Sequence, residues 1–404
     1  MNTSNPLVQK QYTAWAYPQP IDDIERWQAQ GGYQPGDPSL DHDIIWPERA
    51  YNPDISILVA GCGTIEAAIE AYNNPRASVV GIDLSPTSLE YATRLKNKHD
   101  LANLELLQMD LHNVASLNRK FDLVISFGVL HALPYPQTGL MSLAEVVKDH
   151  GVIHLMLYGK YMRSGIYMVQ EALRLMDISQ TPEDVAFTRS VIDALPAHHA
   201  ARAYMKNAPD LVHDTGIVDT FLHRQDRAYT VPEILELVDK CNLNFQGWLD
   251  NLDYYPDGTL SPDHPLYQKL ATLPQREQWA VYELLSQSIG CHRFLLRKRN
   301  GDVNKYKIDF DYPTCLKMVP SYRHFLKIEE GRNGTIQLSR EWHRLQIEGL
   351  EKKLFLSTDG TTTIGEIISK QASTSPGDEE RARLFFRRMW RLGHFTMANY
   401  TDRS

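Results

Sequence analysis

From Ile55 onward, short apolar runs alternate with stretches of helical pattern. Ile55–Ala60, Ser78–Ile82, Leu104–Gln108, Phe121–Phe127 and Val152–Tyr158 are β-branched or leucine-rich and almost continuous. Runs of that kind predict parallel strands covered on both faces. Between them, Ser85-Pro86 predicts a helix start, with a capping serine and a proline at the first helical position. Met141–Val147 predicts another helix. The alternation predicts an α/β fold: a Rossmann-like, doubly wound, mostly parallel sheet.

The rhythm changes on both sides of this region. Residues 1–54 are rich in Pro, Tyr and Trp and show no period. Residues 159–229 predict a helical insertion, with helices over Tyr161–Met176 and Pro182–Leu195. Thr230-Val231-Pro232-Glu233 then predicts a capping box. Phe245–Leu249 and Phe294–Lys298 predict two further strands, with a helix near Glu277–Gln287 between them. Beyond 300, REWHRLQIEGLEKKLF, a helix after Asp359-Gly360, a loop at Ser373–Asp378 and the amphipathic ERARLFFRRMWR predict a small α+β unit. Leu384, Phe385, Met389 and Trp390 are expected to pack while the arginines stay solvated. The expected organisation is an N-terminal segment 1–54, a main domain 55–300 with its insertion at 159–229, and a C-terminal domain 301–404.

Candidate chemistry lies at the carboxyl ends of the first four strands. ILVAGCGTIEAAI, Ile57–Ile69, places Gly61-Cys62-Gly63 between a strand and a helix. Glycines there let the backbone turn sharply and approach a ligand that the helix amides face. A dinucleotide turn would carry a third glycine where this chain has Glu66, and a carboxylate beside a pyrophosphate is repulsive. Asp83, 22 residues after Gly61, ends the second strand, where an acid accepts from ribose hydroxyls. Leu84 is placed to pack on an adenine face, Asp110 to accept from the adenine amine, and Phe127-Gly128 ends the fourth strand. Together these point to a phosphate-free adenosine. Cys62 reads as a small residue in the turn rather than a nucleophile.

Composition narrows the class. The chain carries a formal charge of −8, although residues 301–404 hold 17 Lys+Arg against 14 Asp+Glu. An acidic main domain argues against a nucleic-acid partner. The four cysteines contain no CxxC pair, so no zinc or disulfide framework is expected and a reducing cytoplasm fits. No apolar run approaches the roughly 18 residues of a membrane span, and the N-terminus has no secretory pattern. The adjacent His198-His199 lacks the spacing of a metal pair and reads as a polar loop, so no metal is expected.

With VAGCGT, GIDLS, QMDL and FDLVISFGVLHAL in this order, the chain resembles the class I S-adenosylmethionine-dependent methyltransferases. The likeness covers about residues 50–160 well and extends loosely to 300. It departs at Ile65, where many members have glycine. The resemblance implies S-adenosyl-L-methionine as cofactor. It places that cofactor against Ala60, Gly61, Cys62, Gly63, Asp83, Leu84, Met109, Asp110, Leu111, Phe127 and Gly128. His131 is the first candidate base, with Tyr158 as a second catalytic candidate. Tyr12, Trp15, Tyr17, Tyr161 and Tyr167 are candidates for the substrate or lid side, since in relatives the N-terminal segment folds over the cofactor. The fourth motif lacks Asn/Asp-Pro-Pro-Tyr. In overall pattern the chain is similar to bacterial protein methyltransferases, among them lysine enzymes with a C-terminal regulatory domain and the cyanobacterial phycobiliprotein asparagine methyltransferase. A protein side chain is therefore expected as acceptor over a small metabolite, with a nitrogen or oxygen methylated, an asparagine amide included. A non-catalytic cofactor-binding assembly protein is the remaining alternative.

Overall fold

The computed structural model describes residues 6–371 and 377–399. It forms two compact units, one made of residues 1–34, 53–247 and 286–300, the other of 35–52, 248–285 and 301–404. The first unit is organised around a seven-stranded sheet with the order β3-β2-β1-β4-β5-β7-β6. Its strands are β1 (Ser56–Ala60), β2 (Ser78–Asp83), β3 (Leu104–Gln108), β4 (Phe121–Phe127), β5 (Val147–Tyr158), β6 (Leu243–Trp248) and β7 (Cys291–Lys298). Strands β1 to β5 pair in parallel, and β7 runs antiparallel to β5. The expected Rossmann-like sheet is the one observed. Ile57, Leu58, Val59 and Ala60 are all fully buried, as are Leu123, Val124 and Ile125 next to them, which is why these runs carry no alternation.

The fifth strand begins earlier than the expected Val152. Val147 already pairs with Phe121, and the register shifts before Leu123 pairs with Val152. The intervening KDHG has the composition of a turn, but here it forms a bulge around Asp122. At Gly151 a Cβ would stand 2.8 Å from the Phe121 carbonyl oxygen, so the close approach requires glycine. Asp122 accepts from the Ser56 amide and hydroxyl, each at 2.9 Å, and from Lys148 Nζ at 2.7 Å. One carboxylate thereby joins the amino ends of β1, β4 and β5.

After β5 the helices Ser164–Leu175, Pro182–Ala194 and Asp214–Phe221 form the insertion. They surround their own apolar core of Ile166, Val169, Leu173, Val185, Ile217 and Phe221. The capping box is present, with Thr230 and Glu233 each accepting from the other's amide at the start of Val231–Lys240.

The second unit has an antiparallel sheet of Lys327–Glu330, Ile336–Arg340 and His343–Ile347, and Val319–Tyr322 paired with Phe395–Ala398. Its core gathers Leu338, Ile347, Phe355, Phe386, Met389 and Phe395. On the helix Asp378–Arg391 the buried face is Ala382, Phe385, Phe386 and Met389, whereas Leu384 and Trp390 are only half-buried. Of the loop expected at Ser373–Asp378, residues 373–376 lie outside the described residues, and Asp378 opens the helix.

Burial works against the Asp122 carboxylate, but Lys148 and the Ser56 donors outweigh it and bring it down to about 2. A depressed carboxyl contributes stability above its ordinary value and loses it as pH falls toward 2. Asp122→Asn should therefore cost about 1 kcal/mol at neutral pH, after allowance for solvent screening. The gap to wild type should close between about pH 4 and 2 in denaturant titrations. A gap that stayed constant through that window would assign the cost to packing instead.

Candidate active site

The turn after β1 is set by two glycines with positive φ, +77° at Gly61 and +53° at Gly63. A Cβ on Gly61 would lie 2.2 Å from Val129 Cγ2, and one on Gly63 would lie 2.8 Å from the Tyr17 carbonyl oxygen. Both positions therefore need glycine for conformation and for space. The amides of Gly61 and Cys62 donate to the Ile82 carbonyl, which carries the β1–β2 pairing into the turn. Asp83 accepts from Gly63 N at Oδ2 and from Ser85 N at Oδ1, both at 2.8 Å. Burial raises its pKa, and these amides oppose the rise.

Asp110 ends the stretch after β3. Its Oδ1 accepts from the His112 amide at 2.9 Å and lies 2.8 Å from His112 Nδ1. Met109 N donates to the Asp83 carbonyl. The Leu84 carbonyl accepts from the Gln9 and Gln108 side chains, and Leu84 itself is half-buried. Leu111 and Phe127 are buried. Gly128 has φ +71°, and a Cβ there would sit in ordinary contact with Met156 Cε at 3.8 Å and His131 Cε1 at 3.9 Å, so it is the backbone conformation that calls for glycine. Ala60 and Cys62 are fully buried, so only their backbone can face a ligand. Burial, with Asp83 beside it, pushes the Cys62 thiol well up, which leaves it protonated and inert. These groups fit an adenosine ligand. Acids end β2 and follow β3 with acceptor capacity to spare, and bare backbone lies at β1 and β4.

A second cluster stands beyond β4 and β5. Tyr158 closes β5 and donates to Asp219 Oδ2 at 2.8 Å. Tyr12, from the helix Pro6–Ala14, donates to Asp219 Oδ1 at 2.8 Å and lies 3.2 Å from His223 Nε2. Tyr17 donates to Asp210 at 3.1 Å. The His131 ring stacks on Tyr158 with centroids 4.0 Å apart. On Tyr158 also sits the fully buried Arg163 guanidinium, 3.6 Å from the ring centroid. Arg163 donates to the Tyr204 hydroxyl at 2.6 Å and stands 3.6 Å from Asp226, which accepts from Tyr167 at 3.2 Å.

Protonation in this cluster follows from burial. Burial first, then the Asp219 charge, holds Tyr12 and Tyr158 well above ordinary phenols, so both keep their protons. Burial, reinforced by His223 and Arg163, drives His131 far below its usual value and keeps it neutral. Its Nδ1 is buried with no hydrogen-bond partner.

Of the residues singled out in the sequence, Tyr12, Tyr17, His131, Tyr158 and Tyr167 are thus brought into one network. Trp15 instead packs on the insertion core and donates to the Gln180 carbonyl, and Tyr161 contributes its carbonyl to Gln287. His198 and His199 lie in a loop, where His199 Nδ1 accepts from the Ala201 amide. Sequence reasoning missed Asp219, Asp210, Asp226, His223, Arg163 and Tyr204. One signal was available: Asp219 interrupts the apolar run Gly216–Phe221, and a carboxylate there must find donors.

The N-terminal segment is tied to the turn as well as to the insertion. Thr64 Oγ1 donates to the Pro18 carbonyl at 2.6 Å, and Ser85 Oγ donates to the Tyr12 carbonyl at 3.0 Å. Gly63→Ala should push the Tyr17–Pro18 backbone away and weaken S-adenosylhomocysteine binding by roughly tenfold, about 1.4 kcal/mol. Calorimetry with unchanged affinity would show that the segment yields at no cost to the site.

Residues 52–200 match a family described as a methyltransferase domain. An uncharacterized protein of Synechococcus sp. is 28% identical over 247 residues, which is 59% of this chain and 59% of that protein. The fold resembles that of PKMT2 from Rickettsia typhi in complex with AdoHcy, with TM-score 0.66 and 13% identity over 95% of this chain and 78% of that one. Another structure of PKMT2 from Rickettsia typhi gives 0.64, also at 13% identity, over 91% and 76%. No helix among the described residues is long and apolar enough to cross a membrane. Residues 52–200 thus match a methyltransferase domain, in a chain whose fold resembles that of a solved structure with AdoHcy bound.

Proposed function

We propose that this protein transfers the methyl group of S-adenosylmethionine to a nitrogen or oxygen of a protein side chain. The observation that carries the acceptor side is the gradation of burial in the Tyr–His–Asp cluster. His131 is 2% exposed and Tyr158 8%, whereas Tyr12 and Tyr17 are half-buried. A buried floor beneath a partly open aromatic rim suits a slender group entering end-on, as a side chain on a larger body does. The cofactor, when bound, supplies an electrophilic methyl on a sulfonium. The residues proposed to hold it are Gly61, Gly63, Asp83, Leu84 and Asp110, with Gly128 near the methyl end.

The chain's own part is positioning, which contributes strongly to displacements of this kind. His131 is too depressed to be a strong base. Its neutral imidazole instead accepts a hydrogen bond at Nδ1, which turns the acceptor's lone pair toward the methyl. Tyr158 holds the imidazole by stacking, and Asp219 holds Tyr158 and Tyr12 together. The second unit offers surface beyond the needs of a small acceptor and is proposed to take part in recognition or regulation.

Two measurements test this. Incubation of the full chain with methyl-labelled cofactor and cell lysate should leave label on protein. Label found only in the small-molecule fraction would favour a metabolite as acceptor, and no transfer above background would favour a non-catalytic role. His131→Ala should lower kcat by about a hundredfold and leave S-adenosylhomocysteine affinity within about twofold. A loss of affinity matching the loss of rate would move His131 to the cofactor side.

A further inference from the structure

Among the buried side-chain atoms of the first unit that lack a hydrogen-bond partner are Glu66 Oε2, Arg293 Nε and both ring nitrogens of His154. They lie on one side of the sheet. Gly81 faces the helix Glu66–Asn73, since a Cβ on it would stand 2.6 Å from Ala67 Cβ. Val59 pairs with Gly81, Ile125 with Val59, and His154 with Ile125. Two residues beyond His154, Met156 pairs with Arg293. Paired residues point to the same face, as do residues two apart on a strand. Glu66 therefore starts the helix on the face where His154 and Arg293 project. The His154 ring is edge-on to Phe127 at 4.6 Å, at the end of β4.

Buried polar atoms are normally partnered. Here a carboxyl and a guanidinium share a face beside the glycine turn without satisfying each other. Arg293 spends Nη1 on the Cys291 sulfur at 3.1 Å. Burial raises Glu66 to about 8, with Arg293 opposing and Asp83 adding to the rise. The last residues of β1, Ile57–Ala60, bring no charge of their own to the turn. A zwitterion fits this arrangement, and the group expected at this turn ends in one.

We infer that Glu66 and Arg293 receive the amino-acid end of S-adenosylmethionine, Glu66 its ammonium and Arg293 its carboxylate. This inference rests on the cofactor reading of Gly61–Gly63. It is the adenosine half that Asp83 and Asp110 hold, so the two halves are recognised by separate residues and can be separated by ligand choice.

The test is calorimetry on the full chain with three ligands. S-adenosylhomocysteine carries both charges, decarboxylated S-adenosylhomocysteine keeps the ammonium only, and methylthioadenosine has neither. Arg293→Met should weaken the first by roughly ten- to hundredfold and spare the other two. Glu66→Gln should weaken the first two by a similar factor and spare methylthioadenosine. Retained methylthioadenosine binding shows that each variant is folded. The wild type should itself bind methylthioadenosine at least about tenfold more weakly than S-adenosylhomocysteine. Equal wild-type affinity for those two ligands overturns the inference whatever the variants do. So does a loss in a folded variant that is the same for all three ligands. A wild type that binds none of them would remove the cofactor reading instead.

Discussion

Two backbone amides converge on one carboxylate, Asp83, and the rest of the site is arranged around that clamp. Gly63 N–H and Ser85 N–H donate to its two oxygens, so the turn after β1 and the turn after β2 move as one piece. On this piece rests the N-terminal segment, through Thr64 to Pro18 and Ser85 to Tyr12. That segment in turn delivers Tyr12 and Tyr17 to carboxylates of the insertion. Elements more than a hundred residues apart are thus registered against one another by a short series of hydrogen bonds. A Cβ on Gly63 would press on the Tyr17 carbonyl oxygen within this series.

The sheet was legible because burial on both faces writes itself as unbroken apolar runs, and Leu104–Gln108 and Phe121–Phe127 match to the residue. Where polarity was needed inside the sheet the signal failed. KDHG looks like a turn because Lys148 and His150 serve Asp122, a neighbour distant in sequence. The acids Asp83 and Asp110 were legible from their places at or just beyond strand ends. Their protein partners were not, since nothing in GIDLS announces that Asp83 also braces Gly63.

The insertion shows the same limit more sharply. Its helices follow from amphipathic pattern, but pattern does not say which polar residue faces inward to meet which partner. Asp219 and Arg163 sit among hydrophobic neighbours and could have been flagged as buried charges. Their partners, Tyr12 and Tyr158 for one and Tyr204 and Asp226 for the other, are set by how the chain returns on itself. The second unit gives a parallel case. Asp250 lies 3.1 Å from Arg323 and 2.6 Å from Arg340, two buried arginines meeting one half-buried carboxylate from three separate stretches of chain. No local composition marks such a grouping.

Asp219 imposes a direction on everything near it. Both of its oxygens are taken by phenol protons, from Tyr12 and Tyr158. Neither hydroxyl can then offer its hydrogen elsewhere, and what each oxygen still presents is a lone pair. With His131 neutral and its Nδ1 unpartnered, the two phenol oxygens offer lone pairs, while N–H groups nearby come from the imidazole and from Arg163, whose Nε and Nη2 are also unpartnered. Such a surface discriminates by polarity before shape is considered. A newcomer bearing N–H or O–H finds partners at the phenol oxygens without breaking a bond already made.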